Sequence, residues 1–283
     1  MVVENSEEVP RGAIDLPDVR DYSAEHVLGA ADIPLPEEVF LHLEEGSQGN
    51  SVMCTCFSAY HAAQIANEAE HGTLLTPDFI KGWSLQGEFG TRTKDGDYVQ
   101  TALKSLVKNG LHTLTGNKPI LGYATIEKTY ESIQYWLARG YAVVTSMRVT
   151  NTNFKKAKNE GVWGGMDGGV VGGHAVTISG YKEDHLIVSN SYGANWGYFR
   201  NGTFKVKRQD VPALGTCYVV YDKKDAEYLY KDVTNESPHF EAIKKMKELG
   251  IMTGYEDGRF GPNNPVTRSE LAAVLTRFIN LTK

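Results

Sequence analysis

Gln48-Gly49-Asn50-Ser51-Val52-Met53-Cys54-Thr55-Cys56-Phe57-Ser58-Ala59 is the most informative segment of the chain. A polar approach leads to a cysteine, and the cysteine opens an apolar helical pattern that runs to about His71, with Gly72 as its stop. A helix N-terminus offers unpaired backbone N–H groups and a partial positive charge, both of which favour a thiolate. Gln48 lies six residues upstream, where its amide can fold back towards the sulfur. A cysteine alone in this position is ordinarily a core thiol, so the chemistry depends on partners downstream.

Two later segments supply them. Gly172-Gly173-His174-Ala175-Val176-Thr177-Ile178-Ser179-Gly180-Tyr181 puts a histidine at the head of a β run. Sixteen residues after His174 comes Asn190, in Asn190-Ser191-Tyr192-Gly193-Ala194-Asn195-Trp196-Gly197. A tight turn at Lys182-Glu183-Asp184 between two strands brings His174 and Asn190 side by side.

Together these segments resemble the papain-like cysteine peptidases of bacterial or phage type. Gln48, Gly49, Cys54, Phe57, Ser58 and Ala59 fall at that family's spacing, and His174 and Asn190 follow in its chain order. Thr55 and Tyr192 depart from it, each standing where the family has a bulky aromatic or tryptophan. Ile33-Pro34-Leu35-Pro36-Glu37-Glu38-Val39 is similar to the start of the mature enzymes, and Asp15 to Tyr22 to a short bacterial leader. The resemblance implies Cys54 as nucleophile, His174 as general base and acid, and Asn190 as the group that fixes the imidazole tautomer. It implies Gln48 and the Cys54 N–H as oxyanion donors, a low thiol pKa, and a cleft lined by Gly172, Gly173, Tyr192 and Trp196.

The pattern elsewhere predicts an α+β chain. An amphipathic helix is expected over 97–109, where Val99, Ala102, Leu103, Leu106 and Val107 share one face, and another over 127–138. Strands are expected at 141–149, 174–181, 185–190, 202–207 and 217–221. Helices first and strands later give a helical half packed on an antiparallel β half, the two-lobed papain-like order. Seven glycines between Gly161 and Gly173 predict a mobile rim of the cleft. The expected divisions are an acidic arm (1–32), a peptidase domain (33–222), a linker (223–230) and a C-terminal unit (231–283).

Bulk numbers exclude several classes. Net charge is −6, which does not suggest a nucleic-acid partner, and no apolar run approaches the length of a membrane span. Residues 1–45 hold twelve Asp and Glu against two Arg, so an acidic arm can lie back across a mildly basic body. The three cysteines do not make a disulfide scaffold, and neither they nor the remaining histidines have metal-ligand spacing; no cofactor or metal is expected. The acidic start lacks the basic and apolar regions of a signal peptide.

Residues 231–283 predict a helix–loop–helix. The first helix spans about 238–249 with Gly250 as its stop, and the second opens on a capping box of Thr267 and Glu270. This unit resembles a single S-layer homology repeat, including the Thr267-Arg268-Ser269-Glu270 motif. The resemblance implies binding of anionic secondary cell-wall polymer, with Asp232 in the groove and Arg268 on the ligand. Because such repeats usually come in threes, and about 50 residues are marginal alone, docking on its own peptidase domain or a homo-oligomer such as a trimer is expected. The combined expectation is a cysteine endopeptidase at a bacterial surface or wall, acting on surface-layer proteins or peptidoglycan stems. The rival is a catalytically weak or inactive papain-like structural or binding protein of a cell surface or virion.

Overall fold

The helix that Cys54 opens spans Cys54–His71 and ends on Gly72 in the left-handed conformation (φ 66°), where a Cβ would be strained. Every residue from Cys54 to Asn67 is buried, so this is a core helix rather than a surface one. In this computed structural model the described residues are 13–14, 23–29, 33–44, 46–165, 168–222, 228–230, 232–234, 239–255 and 258–281. Most of the acidic arm, including the leader-like stretch, lies outside them, as do Met166, Asp167 and 223–227 of the linker.

The chain divides into two units. The first comprises Met1–Ser23 and Leu35–Lys223, and the second Ala24–Pro34 and Lys224–Lys283. In the first, helices Phe79–Gly87 and Val99–Asn109 pack on the Cys54 helix through Ala59, Ala63, Ala102, Leu103 and Leu106. At Gly82 the helices approach so closely that a Cβ would stand 2.3 Å from the Tyr60 ring. The predicted helix over 97–109 begins at Val99, because Asp97–Tyr98 is extended and pairs in parallel with Ala13–Ile14.

The β half is an eight-stranded sheet. Its path runs Gly122–Ile126, Cys217–Tyr221, Val143–Thr150, Val170–Lys182, His185–Ser189, Thr203–Lys207, Val162–Trp163. All neighbours on this path are antiparallel except the last pair. Glu38–Phe40 continues the sheet by pairing with Val170–Lys182 beyond Ile178. The glycine-rich segment is therefore only partly a loop. Gly172 and Gly173 lie inside a strand, opposite Val149 and Arg148, so backbone pairing holds them and the expected mobile rim does not include them.

In the second unit the helices span Phe240–Glu248 and Arg268–Leu281. Tyr230, Val233, Phe240 and Ile243 form a small core, with Phe260 packed against it. The predicted capping box is present: Glu270 N–H donates to Thr267 Oγ1 at 3.2 Å, and Thr267 N–H donates to Glu270 Oε2 at 2.8 Å. The outer helix leaves Leu271, Leu275, Phe278 and Ile279 about half exposed.

Candidate active site

The strand from Val170 and the one ending at Ser189 are joined by a two-residue turn, with Glu183 at φ 54°. That pairing carries His174 and Asn190 to the same place. His174 Nε2 lies 2.7 Å from Asn190 Oδ1, which also accepts the Ser191 N–H at 2.9 Å. An amide oxygen already accepting one N–H requires the proton on Nε2, leaving Nδ1 as the basic nitrogen. Nδ1 is buried and has no hydrogen-bond partner.

Cys54 approaches from the helix. Met53, at its cap position, contributes no side-chain hydrogen bond, which leaves the first N–H groups to the sulfur. Sγ is stabilised by the backbone N–H groups of Cys54, Thr55 and Ala175, the last being the residue after His174. Burial outweighs them and pushes the thiol up to about 11. Burial likewise lowers His174 to about 4, against a smaller opposing effect of the Asn190 hydrogen bond. Burial thus works against the low thiol pKa expected from the sequence, since desolvation favours the neutral form of both groups and opposes what the helix end supplies. Next to His174, an ideal Cβ on Gly173 would stand 2.0 Å from the carbonyl oxygen of Ala13. The short strand Ala13–Ile14 thus passes over Gly173 as a strap, and Ala13 packs against the core cluster that holds Cys54 and Ala175.

Gln48 is buried and fixed from several sides. Its Nε2 donates to Ser51 O at 2.6 Å, its Oε1 accepts from Ser191 Oγ at 2.5 Å, and its backbone N–H donates to Ser191 O at 2.7 Å. Ser191, whose role the sequence did not reveal, links Gln48 to Asn190: its hydroxyl holds the Gln48 amide and its backbone N–H holds Asn190 Oδ1. Tyr192 stacks on the His174 ring, centroids 5.5 Å apart at 20°. Trp196 and Phe154 extend this cover, at 5.7 and 6.2 Å from Tyr192. Phe154 comes from helix Asn151–Glu160 and carried no sequence signal. Among the described residues no group of His, Cys, Asp and Glu has metal-binding geometry.

With this geometry in hand, the similarity to known proteins is specific. Residues 86–224 match the model of the papain family of cysteine proteases, and 229–272 that of the S-layer homology domain. The chain carries a papain-family cysteine protease domain. The match includes His174 and Asn190, while Cys54 and Gln48 lie upstream of it. Over 190 residues the chain is 27% identical to mexicain of Jacaratia mexicana, covering 59% of this chain and 83% of that one. Over 207 residues it is 26% identical to chymopapain of Carica papaya, covering 65% and 56%. The fold of the protease domain is that of xylellain, a cysteine protease from Xylella fastidiosa, with a TM-score of 0.63 at 19% identity, covering 79% of this chain and 100% of that one.

In the S-layer homology domain, Asp232 accepts the backbone N–H groups of Phe260 and Gly261 at 2.7 and 2.8 Å. Its carboxylate thereby closes the loop that brings Phe260 onto the small core. Arg268, at the start of the outer helix, is exposed.

Proposed function

We propose that the protein is a cysteine endopeptidase of a bacterial cell surface or wall, held there by its C-terminal S-layer homology domain. The observation that carries this reading is the His174–Asn190 hydrogen bond of 2.7 Å with Nδ1 left open. Nδ1 takes the proton of Cys54, and the thiolate attacks the substrate carbonyl carbon. The oxyanion is held by Gln48 Nε2–H and the Cys54 N–H. Nδ1–H then protonates the leaving amine, and water, deprotonated by the same nitrogen, hydrolyses the thioester. Surface-layer proteins and peptidoglycan stems are the proposed substrates. Asp232 shapes, and Arg268 supplies charge to, a site for anionic wall polymer. The half-exposed row Leu271, Leu275, Phe278 and Ile279 supports self-association, in the first instance a trimer.

An epoxysuccinyl inhibitor should label Cys54 in the full chain and not in Cys54→Ala. Absence of labelling, together with a strictly monomeric mass by light scattering, would favour an inactive papain-like surface or virion component. The burial of both side chains, Cys54 at 0% and His174 at 3% exposure, is the observation on which that second reading rests.

A further inference from the structure

Thr55, the residue after the nucleophile, anchors a buried polar chain. Gln86, at the end of helix Phe79–Gly87, donates its amide nitrogen to Thr55 Oγ1 at 3.0 Å and to Asp97 Oδ2 at 2.8 Å. Asp97 Oδ1 accepts from Thr91 Oγ1 at 2.6 Å and from the Tyr98 N–H at 2.8 Å. Thr91 Oγ1 in turn lies 3.0 Å from Thr101 Oγ1. Thr55, Gln86 and Asp97 are 0, 1 and 0% exposed. The orientation of the Gln86 amide is dictated chemically. Only its NH2 can donate to two acceptors at once, since its oxygen would repel the carboxylate of Asp97. The consequence is that Gln86 Oε1 is left buried without a partner. The two donations are thus made at the cost of one buried acceptor without a partner.

What the chain connects is specific. At one end is the first turn of the Cys54 helix. At the other is Asp97–Tyr98, the short edge whose backbone takes an extended chain, since Ala13–Ile14 already lies along it in parallel register. We propose that Gln86 and Asp97 are positioning residues, which set the distance between the Cys54 thiol and any peptide lying on the Asp97–Tyr98 edge. This rests on the reading of the domain as a peptidase. It also gives the departure of Thr55 from the family pattern a purpose: position 55 needs a hydroxyl, because the neighbouring helix offers it a donor. Positioning of this kind acts on reactions of bound peptide and not on the intrinsic reactivity of the sulfur.

The test compares two alkylating agents on Cys54 of the full chain. Iodoacetamide reads the thiol alone, and a peptidyl chloromethyl ketone reads the thiol together with the edge. The Ala13–Ile14 strap lies on that same edge and competes with the peptidyl reagent, but it does so in every variant, so the change in the ratio between variants isolates the Thr55 connection. The peptidyl reagent is expected to be much the faster on the unmodified chain. Thr55→Val, which keeps shape and loses the acceptor, should lower the ratio about tenfold, the worth of one buried hydrogen bond. Thr55→Ser should restore it, and Gln86→Met combined with Thr55→Val should cost little more than either alone. If Gln86→Met does not fold, the Val and Ser pair decides. A ratio unchanged in Thr55→Val, an equal slowing of both reagents, or no preference for the peptidyl reagent on the unmodified chain would each overturn the proposal. The peptidase reading is judged separately, by Cys54-dependent hydrolysis of a protein substrate.

Discussion

Removing residues 1–22 takes away the strand that lies over Gly173 and packs against the cluster holding Cys54, and its effect on the nucleophile can be worked out. In the strapped state the thiol stands at about 11 against an ordinary 9.0, with burial as the leading cause. That rise leaves about a hundredfold less thiolate at pH 7. If the strap supplies that burial, the truncated chain should alkylate with iodoacetamide at pH 7 roughly 100 times faster at Cys54. Cys56 and Cys217, both buried and not disulfide-bonded, serve as internal controls in the mass spectrum. The full-length counterpart is Gly173→Ala. Its methyl group would stand 2.0 Å from the Ala13 carbonyl oxygen, so the strap must leave and the same acceleration should follow. Equal rates in all three proteins would show that the helical and β halves bury the thiol by themselves.

Acid should destabilise the protease domain through two buried histidines. Burial lowers His61 and His174 from 6.5 to about 4, so the native state stays neutral while the unfolded chain takes up protons. The associated stability, about 3 kcal/mol each, is complete above pH 6.5 and is lost as pH falls towards 4; urea unfolding should reveal it, and His61→Phe should flatten the acid limb. Gln48→Ala should lower kcat by roughly 10² to 10³ with little change in KM, as loss of one oxyanion donor does. In the S-layer homology domain, Asp232→Ala should melt the loop around Phe260 and expose it to protease. Arg268→Ala should leave helical content intact and abolish cosedimentation with cell walls.

The Cys54 helix, its Gly72 stop and the strand at Cys217–Tyr221 were legible in the sequence, because burial and chain punctuation both leave marks in residue order. So was the meeting of His174 with Asn190, since a two-residue turn fixes register. Helix Asn151–Glu160 was not. It reads Asn-Thr-Asn-Phe-Lys-Lys-Ala-Lys-Asn-Glu and has little apolar stripe; a capping box of Thr150 and Asn153 starts it, and Asn153 and Ala157 are its buried residues. The chain from Thr55 to Asp97 was equally hidden, because its members are 31 and 11 residues apart and show no shared period. The burial of the thiol also escaped prediction. Motifs specify which groups meet, whereas desolvation depends on everything packed around them.

Ala24–Pro34 clusters with Lys224–Lys283 although the whole protease domain is encoded between them. Assembly of the anchoring unit must therefore wait for the last part of the chain, roughly 190 residues after Pro34. At ordinary synthesis rates that is a delay of about 10–40 s, during which the protease domain can already close. The division of the chain also affects shedding. A single nick at 223–227, which would release an ordinary tail, leaves the two units covalently joined at Ser23–Ala24 and Pro34–Leu35. An enzyme working among other proteases keeps its mooring after one cut, because the chain passes between the units three times and each passage has to be severed.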